Sequence, residues 1–579
     1  MHVYLRINER SSKAVYSQAQ SFYKVLMTKP SRFKHWIPQS TQTPASFDDV
    51  CTIVRQIRGF IPLEKLEYGD HGLDAVLDAV AEAIAANKRI ALYADYDVDG
   101  TMSCVAWIWF FQAIGFTNYV HYIPCRFKEG YGVNLDAIRH LVDSEQAQMI
   151  ITMDTGITAN AEAVWCRERG VTFICTDHHK IQAEKMPDCL ILNPKTHPDA
   201  IYQELCGCGI TFVLLRKLVT YLPDCKVKES VWTDILALTG MATICDVVPL
   251  NGVNHKLAKY GVDALMRSKR PILVKLRAAA SIDETDEKDV GFKLGPRINA
   301  VGRLEHADLV IKAFVEENPD SLIAFMGTAN ERRRQIQAGI VGDARALAKQ
   351  YSNPSILFLG GDWHPGVVGI AASKIAEENW CPVWLFQRKD GLCKGSARSI
   401  KGFDVTEAMI ACKELFLKFG GHPAAGGFTF LEENEAKIRD RLTAYAEEIR
   451  AKNSDVWESK IHFDCELPHN LISLNVMNTL DGMKPFGHGF EEPKFKISVR
   501  VKRVQYFLDK VSGTPKHTCV ITVSDSHDKI FREQKILFFN EVIDRIVPNN
   551  EHTFVVSLSR NNFRGQASLS IMGHDWRPV

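Results

Sequence analysis

Apolar residues in this chain gather into short continuous runs separated by stretches of helical spacing, a rhythm that begins at about residue 48. The helical stretch Leu73–Asn87 leads into Arg89-Ile-Ala-Leu-Tyr-Ala94, a run of buried-strand length, and Met102 to Ile114 reads as the helix after it. Further strand candidates are Tyr119–Ile123, Met149–Met153, Val171–Cys175 and Cys189–Leu192. Continuous apolar strands alternating with helices predict a mostly parallel sheet covered on both faces. Residues 209–275 read as largely helical, and Asp308–Gln350 as a long helical connector that breaks near Asn318-Pro319 and carries Arg332, Arg333 and Arg334. A second α/β rhythm starts at Ser355-Ile-Leu-Phe-Leu359 and runs to about 452, where Ala451-Lys-Asn-Ser-Asp455 reads as a linker. From about 460 the pattern changes to short alternating strands (Lys494–Val501, His517–Val523, Lys535–Phe539, Thr553–Leu558, Gln566–Met572), the signature of a small β-barrel.

These shifts divide the chain into an N-terminal arm (1–47), a first α/β domain (48–307), a helical connector (308–350), a second α/β lobe (351–453) and a barrel (460–579). The arm is polar, with no helical stripe before Ser17–Leu26. At 579 residues the chain exceeds what one hydrophobic core supports, so several domains are expected. A net charge of +1 excludes a uniformly basic DNA coat but allows a basic channel beside an acidic site. No run approaches a membrane span and no secretory signal is visible, so a cytoplasmic protein without a membrane partner is expected. The 15 cysteines are scattered, with Cys206-Gly-Cys208 the closest pair, and read as reduced, buried small residues.

The carboxylates fall where chemistry is expected. The first strand ends in Asp95-Tyr96-Asp97-Val98-Asp99-Gly100, another in Asp154-Thr155-Gly156, and the next in Asp177-His178-His179. A helical run ends in Cys245-Asp246-Val247-Val248. In an open parallel sheet, ligands bind at the carboxyl ends of strands, so three clusters should meet in one crevice, with the fourth reaching it from the helical part. Each Asp-Gly alone is more often a turn. Together, the groups would repel unless divalent cations neutralised them, and an Asp-rich set with histidine suits Mn²⁺ or Mg²⁺. Two ions would activate a water and stabilise the leaving oxygen of a phosphodiester. Asp154, alone at its strand end, is the candidate bridge between them.

The order DYDVDG, MDTG, TDHH and CDVVPL resembles the four motifs of the DHH phosphoesterase superfamily. PCRFKEGYG (124–132), LGPRINAVGRL (294–304), WHPGVVGI (363–370), KGSARSIKGFD (394–404), GGHPAAGGF (420–428) and PFGHGFEEPKF (485–495) narrow the resemblance to its RecJ family, over roughly residues 50–575. One departure is GRLEHA (302–307), where an Asp-rich version is usual. The resemblance implies a DHH lobe, a DHHA1 lobe and an OB-fold, and a single-strand-specific 5′→3′ DNA exonuclease of repair and recombination that releases 5′-mononucleotides. It implies a metal set of Asp95, Asp97, Asp99, Asp154, His178 and Asp246, leaving open which of the first three touch metal. It implies catalytic roles for His179, Asp154 and Asp177, with His179 facing the scissile phosphate. Single-stranded DNA, a helicase and a single-strand-binding protein are the implied partners of a monomer. A phosphodiesterase for very short or cyclic oligonucleotides and a non-catalytic replication scaffold are the alternatives within this fold.

In the second lobe, Gly420–Gly427 reads as a loop stripped of side chains, whose N–H groups at Gly426 and Gly427 could approach a phosphate beside His422. Ser396 and Arg398 join it as phosphate contacts, with Arg126, Arg297 and Arg303 facing the crevice. His364, beside Trp363, is placed against a nucleotide, with burial of that Trp at a domain junction as the alternative. From residue 498 onward there are twelve Lys/Arg against eight Asp/Glu, with phenylalanines interspersed, which suits a groove for single strands.

Overall fold

The computed structural model describes residues 33–579 except 60–67, 200, 224, 509–514, 525–531, 540, 542, 544–545 and 564–565. The expected Ser17–Leu26 stripe therefore lies outside the described residues. The described residues form two compact units, one within 50–457 and 478–492, the other within 33–49, 458–477 and 493–579.

The larger unit begins with a five-stranded, all-parallel sheet in the order Tyr119–Tyr122, Ile90–Ala94, Met149–Met153, Thr172–Thr176, Leu190–Leu192. Alternation along each strand feeds two cores: Ile90, Leu92, Met149 and Ile151 pack on one face, Ala91, Tyr93, Ile150 and Phe173 on the other. The helix Val98–Ile114 is buried on every side from Val98 to Phe111, which explains why its sequence lacks a polar stripe. It begins four residues earlier than the sequence pattern suggests, because Asp97 caps it. The helices Gly207–Leu218 and Glu229–Cys245 pack beside it, and Gly252–Arg267 packs on Glu229–Cys245, crossing it where Gly240 and Gly261 face each other.

The helix Asp320–Ala348 leads to a second, mixed sheet in the order Lys418–His422, Ala425–Leu431, Leu392–Arg398, Val383–Lys389, Leu357–Gly361. The expected linker at 451–455 is the end of the helix Glu435–Lys452 and a short 3₁₀ turn, anchored by buried Trp457, whose indole N–H donates to the Ser355 carbonyl at 2.8 Å. Hydrogen bonding and burial of the indole make it part of the lobe's core.

In the smaller unit, Lys494–Leu508, Pro515–Ser524, Arg532–Phe538, Gln566–Pro578 and Glu551–Phe563 close into a five-stranded barrel, the first strand pairing with the last as well as with the second. The strand His35–Pro38 pairs in parallel with Lys460–Phe463, so the described part of the arm is packed against this unit. Among the described residues no helix is long and apolar enough to cross a membrane.

Candidate active site

The parallel sheet reverses its strand order between Ile90–Ala94 and Met149–Met153, and loops leaving such a pair diverge to open a crevice. Asp95 and Asp154 follow these two strands directly, and Asp177, His178 and His179 follow the next. Asp97 Oδ1 accepts the N–H groups of Asp99 (2.8 Å) and Gly100 (3.2 Å). Asp99, in the first turn of its helix, accepts N–H groups from Gly207 (2.6 Å) and Cys208 (2.8 Å) at the start of another helix. Two helix N-termini thus aim their positive ends at the carboxylates. A Cβ on Gly100 would lie 2.4 Å from the Asp95 carbonyl oxygen, and one on Gly207 would lie 2.7 Å from Asp154 Cβ. The expected site did not include the Cys206–Gly209 segment, which reads in sequence as apolar packing; a Gly pair at the start of an apolar helical run was its signal.

Three overlapping triads result: Asp95, Asp97 and Asp154; Asp99, His178 and Asp246; and Asp154, His178 and His179, with the ligand atoms of each within 4.8 Å of one another. His178 Nε2 lies 3.0 Å from Asp154 Oδ1, 3.5 Å from Asp246 Oδ2 and 3.8 Å from Asp99 Oδ2. Yet His178 Nε2, Asp154 Oδ1 and Asp95 Oδ1 are buried without an aligned hydrogen bond. Burial and mutual repulsion hold Asp95, Asp154 and Asp246 well above the usual carboxylate range and push Asp99 up to about 7. Burial keeps His178 neutral, its pKa down to about 3. Unbonded lone pairs, crowded carboxylates and a neutral imidazole are what hard divalent cations satisfy, so the residues fit such ions.

His179 has different company. Asp177 takes its ring Nδ1 at 2.8 Å and its backbone N–H at 3.1 Å, and also accepts from Ile157 N at 2.9 Å. Burial pulls the imidazole down, but Asp177 more than offsets this and raises its pKa. The Tyr131 hydroxyl lies 3.0 Å from His179 Nε2, and the His422 ring is stacked 6.2 Å away. Tyr131 was not among the expected site residues. It sits on a loop pinned by Glu129, whose carboxylate accepts from Cys125 N, Tyr122 Oη and Asn134 Nδ2.

Arg126, Arg303 and Arg398 come together from three segments. Arg126 lies over the Tyr96 ring at 4.9 Å, Arg303 donates to the Gly366 carbonyl at 3.2 Å, and Arg398 donates to Ser396 Oγ at 2.6 Å and Ser373 Oγ at 3.1 Å. Among the described residues none of them forms an ion pair with a carboxylate. Burial, then the neighbouring guanidiniums, lower Arg303 to about 9 and Arg398 to about 10. Arg297 turns elsewhere, donating to the Lys293 carbonyl at 2.7 Å, with Arg334 the charge acting on it. Trp363 is buried and bonded to Asp343, whereas His364 is half-buried against the edge of Phe127.

The glycine-rich segment is not the open loop that its composition suggested. Gly420 and Gly421 pair with Gly427 and Gly426 in a hairpin, and the second strand also pairs with Leu392–Arg398. Backbone groups of Gly426 and Gly427 are thus engaged in ladders on both sides, leaving His422 as the side chain that the hairpin brings to His179. Gly421 is needed for space: a Cβ there would lie 2.3 Å from the Ala425 carbonyl oxygen.

Three family models match the chain: the DHH family N-terminal domain over residues 89–243, the DHHA1 domain over 352–448 and the RecJ OB domain over 463–575. The single-stranded-DNA-specific exonuclease RecJ of Dickeya dadantii is 30% identical over 466 residues, 76% of this chain and 80% of the relative. That of Bacillus subtilis is 31% identical over 87% of this chain, which spans 63% of that relative's length. The crystal structure of RecJ from Thermus thermophilus in complex with Mn²⁺ superposes with a TM-score of 0.78 at 25% identity, covering 94% of this chain and 80% of the other.

Proposed function

This chain belongs to the RecJ family of single-stranded-DNA-specific exonucleases, and from that premise we propose that it removes 5′-mononucleotides one at a time from the 5′ end of a DNA single strand. The observation that carries the polarity is the unpaired arginine trio beside the acidic cluster: Arg126 acts electrostatically on Asp95, and Arg303 on Asp97. A terminal phosphomonoester carries more charge than an internal diester, so three guanidiniums without carboxylate partners favour the strand end.

Asp95 and Asp97 would hold one Mn²⁺ or Mg²⁺, Asp99, His178 and Asp246 the other, with Asp154 shared. When bound, such a pair supplies an activated water and charge neutralisation at the leaving oxygen. His178 presents Nε2 as a neutral donor of its lone pair. His179, held by Asp177, offers a proton-bearing ring nitrogen to a phosphate oxygen, and Tyr131 and His422 bracket that ring. Ser396 orients Arg398 on the terminal phosphate, and His364 borders the same lobe interface.

The chain supplies both walls of this crevice, so a monomer suffices for the reaction. A strand that must be single calls for a helicase and a single-strand-binding protein upstream, in repair and recombination in the cytoplasm. The test is digestion in Mn²⁺ of strands that differ only at the 5′ end. A 5′-phosphorylated strand should be degraded faster than its 5′-hydroxyl counterpart, and Arg398→Ala should narrow the difference. Consumption of a 5′-blocked strand while a 3′-blocked one resists would reverse the polarity.

A further inference from the structure

A cleft of about 540 Å³ opens beside the metal centre, with Val247, Val248, Glu287, Phe292, Arg303 and Arg333 among its walls. Its volume is in the range of small-ligand pockets. Two of its walls tie it to the site already described. Val247 follows Asp246 directly, and Arg303 is one of the three guanidiniums assigned to the terminal phosphate. The unit of a DNA strand that joins a terminal phosphate to the scissile phosphate is the 5′-terminal nucleotide. A space bordering both anchor points is therefore beside that nucleotide's sugar and base.

The lining is built for a base. Phe292 is 81% exposed, more than any other large apolar side chain among the described residues. It sits in the one-turn π-helix Val290–Leu294, whose Val290 and Leu294 are buried, so the turn's own packing faces it outward. Val247, 61% exposed and held at a φ of 60°, presents a second apolar side chain. Glu287 is only 5% exposed, and its Oε1 is buried without a hydrogen-bond partner. A buried acceptor with nothing to accept from is costly unless a ligand N–H completes it. Among the described residues Arg333, half-buried, bonds the neutral side chains of Gln337 and Asn330 and no carboxylate, and its Nε is unbonded. That leaves a cation on the rim for the strand's backbone.

We propose that this cleft receives the base of the 5′-terminal nucleotide, stacked on Phe292 and donating an N–H to Glu287. A stacking face with one acceptor accepts adenine, cytosine and guanine through their exocyclic amines and thymine through its ring N–H, so digestion proceeds through any sequence. The inference rests on the 5′-exonuclease reading and adds to it the subsite that holds the nucleotide being released.

The experiment compares first-nucleotide release from a 5′-phosphorylated single strand with release from the same strand carrying an abasic spacer at its terminal position, in Mn²⁺. Removing a stacked base is worth about tenfold or more, so the wild-type protein should release the abasic unit about tenfold more slowly. Phe292→Ala should slow the normal strand by a similar factor and be nearly indifferent to the spacer, while Phe292→Trp should restore both the rate and the discrimination. A spacer placed several nucleotides inward should leave first release unchanged. A wild-type protein that ignores the terminal spacer, or a Phe292→Ala variant as sensitive to it as wild type, would overturn the base pocket while leaving the exonuclease reading in place. Failure of the wild-type protein to release anything from the normal strand would overturn both.

Discussion

Asp154 combines two unfavourable conditions. It is a buried carboxylate repelled by Asp99, Asp97, Asp246 and Asp95, and its φ of 61° places a non-glycine residue in the left-handed region. Strain and repulsion at one residue mark a position kept for function rather than stability. Asp154→Asn should lower turnover by roughly a thousandfold or more, since Asp154 is the carboxylate that belongs to two of the three triads and lies 3.0 Å from His178 of the third. The same variant, with metal removed, should melt a few degrees above the wild type, because one of the crowded charges is gone. A lower melting temperature for the metal-free variant would contradict this account. Asp177 differs in kind: it is fully hydrogen-bonded, and its partners hold it below the usual carboxylate range despite burial. Asp177→Asn should slow the chemical step by roughly 10–100-fold through a misplaced His179, with the Mn²⁺ stoichiometry from calorimetry unchanged. Loss of a bound ion in that variant would instead make Asp177 a ligand.

At the scale of elements, helix starts do much of the positioning. The helix Gly207–Leu218 brings two backbone N–H groups onto Asp99, and a Cβ at Gly207 would lie only 2.7 Å from Asp154 Cβ, so the residue there has to be glycine. Gly207→Ala should weaken Mn²⁺ binding and turnover by roughly 10–100-fold, measured by titration calorimetry and strand digestion. Asp308 begins another helix and pairs with His121 on the edge strand at 2.7 Å and with Lys312 at 3.0 Å. The His121 hydrogen bond, against the opposing effect of burial, draws its pKa from 3.8 down to about 2. A carboxyl group depressed by folding contributes stability above its unfolded value and loses it as pH falls through the folded one. Asp308→Asn should thus cost about 1 kcal/mol in urea unfolding at neutral pH, allowing for its partial exposure. The difference from wild type should close as pH drops from 3.8 toward about 2.

Across the whole molecule the division of labour is between a crevice within the larger unit and a barrel in the smaller one. On the barrel, Arg503 and Lys535 are exposed, as are Phe507 and Phe539. Exposed cations and exposed aromatic side chains on one barrel suit a sequence-tolerant single-strand track. Replacing Arg503 and Lys535 together with Ser should leave cleavage of very short oligonucleotides unchanged and weaken binding of long strands. The slope of log affinity against log salt should become shallower by roughly 1 to 1.5 for two lost phosphate contacts. An unchanged slope would remove these residues from the strand path. Truncation near residue 459 is a poorer test of the barrel, because it would also delete 478–492, which belong to the larger unit and help to line the cleft.

Much of this protein was legible without its structure because its information is local. Apolar runs of strand length fixed the parallel sheet, and carboxylates standing just past them had to meet wherever strand ends converge. Alternation and turn residues marked the barrel strands in the same way. The tertiary structure decided what depends on residues far apart in the chain. Gly207 and Cys208 reach Asp99 across more than a hundred positions, so their N–H groups, having no side-chain signature, left no trace in the pattern. Composition made Gly420–Gly427 look like an open loop, whereas pairing with its neighbours makes it a hairpin, because glycine is compatible with either and only the partner strand chooses. Arg126, Arg303 and Arg398 could be proposed singly, but that they gather without carboxylates, while Arg297 does not join them, depends on packing between lobes. The sequence determined which chemical groups were present and which strand ends carried them. The fold decided which were left unsatisfied, and unsatisfied groups are the ones a ligand completes.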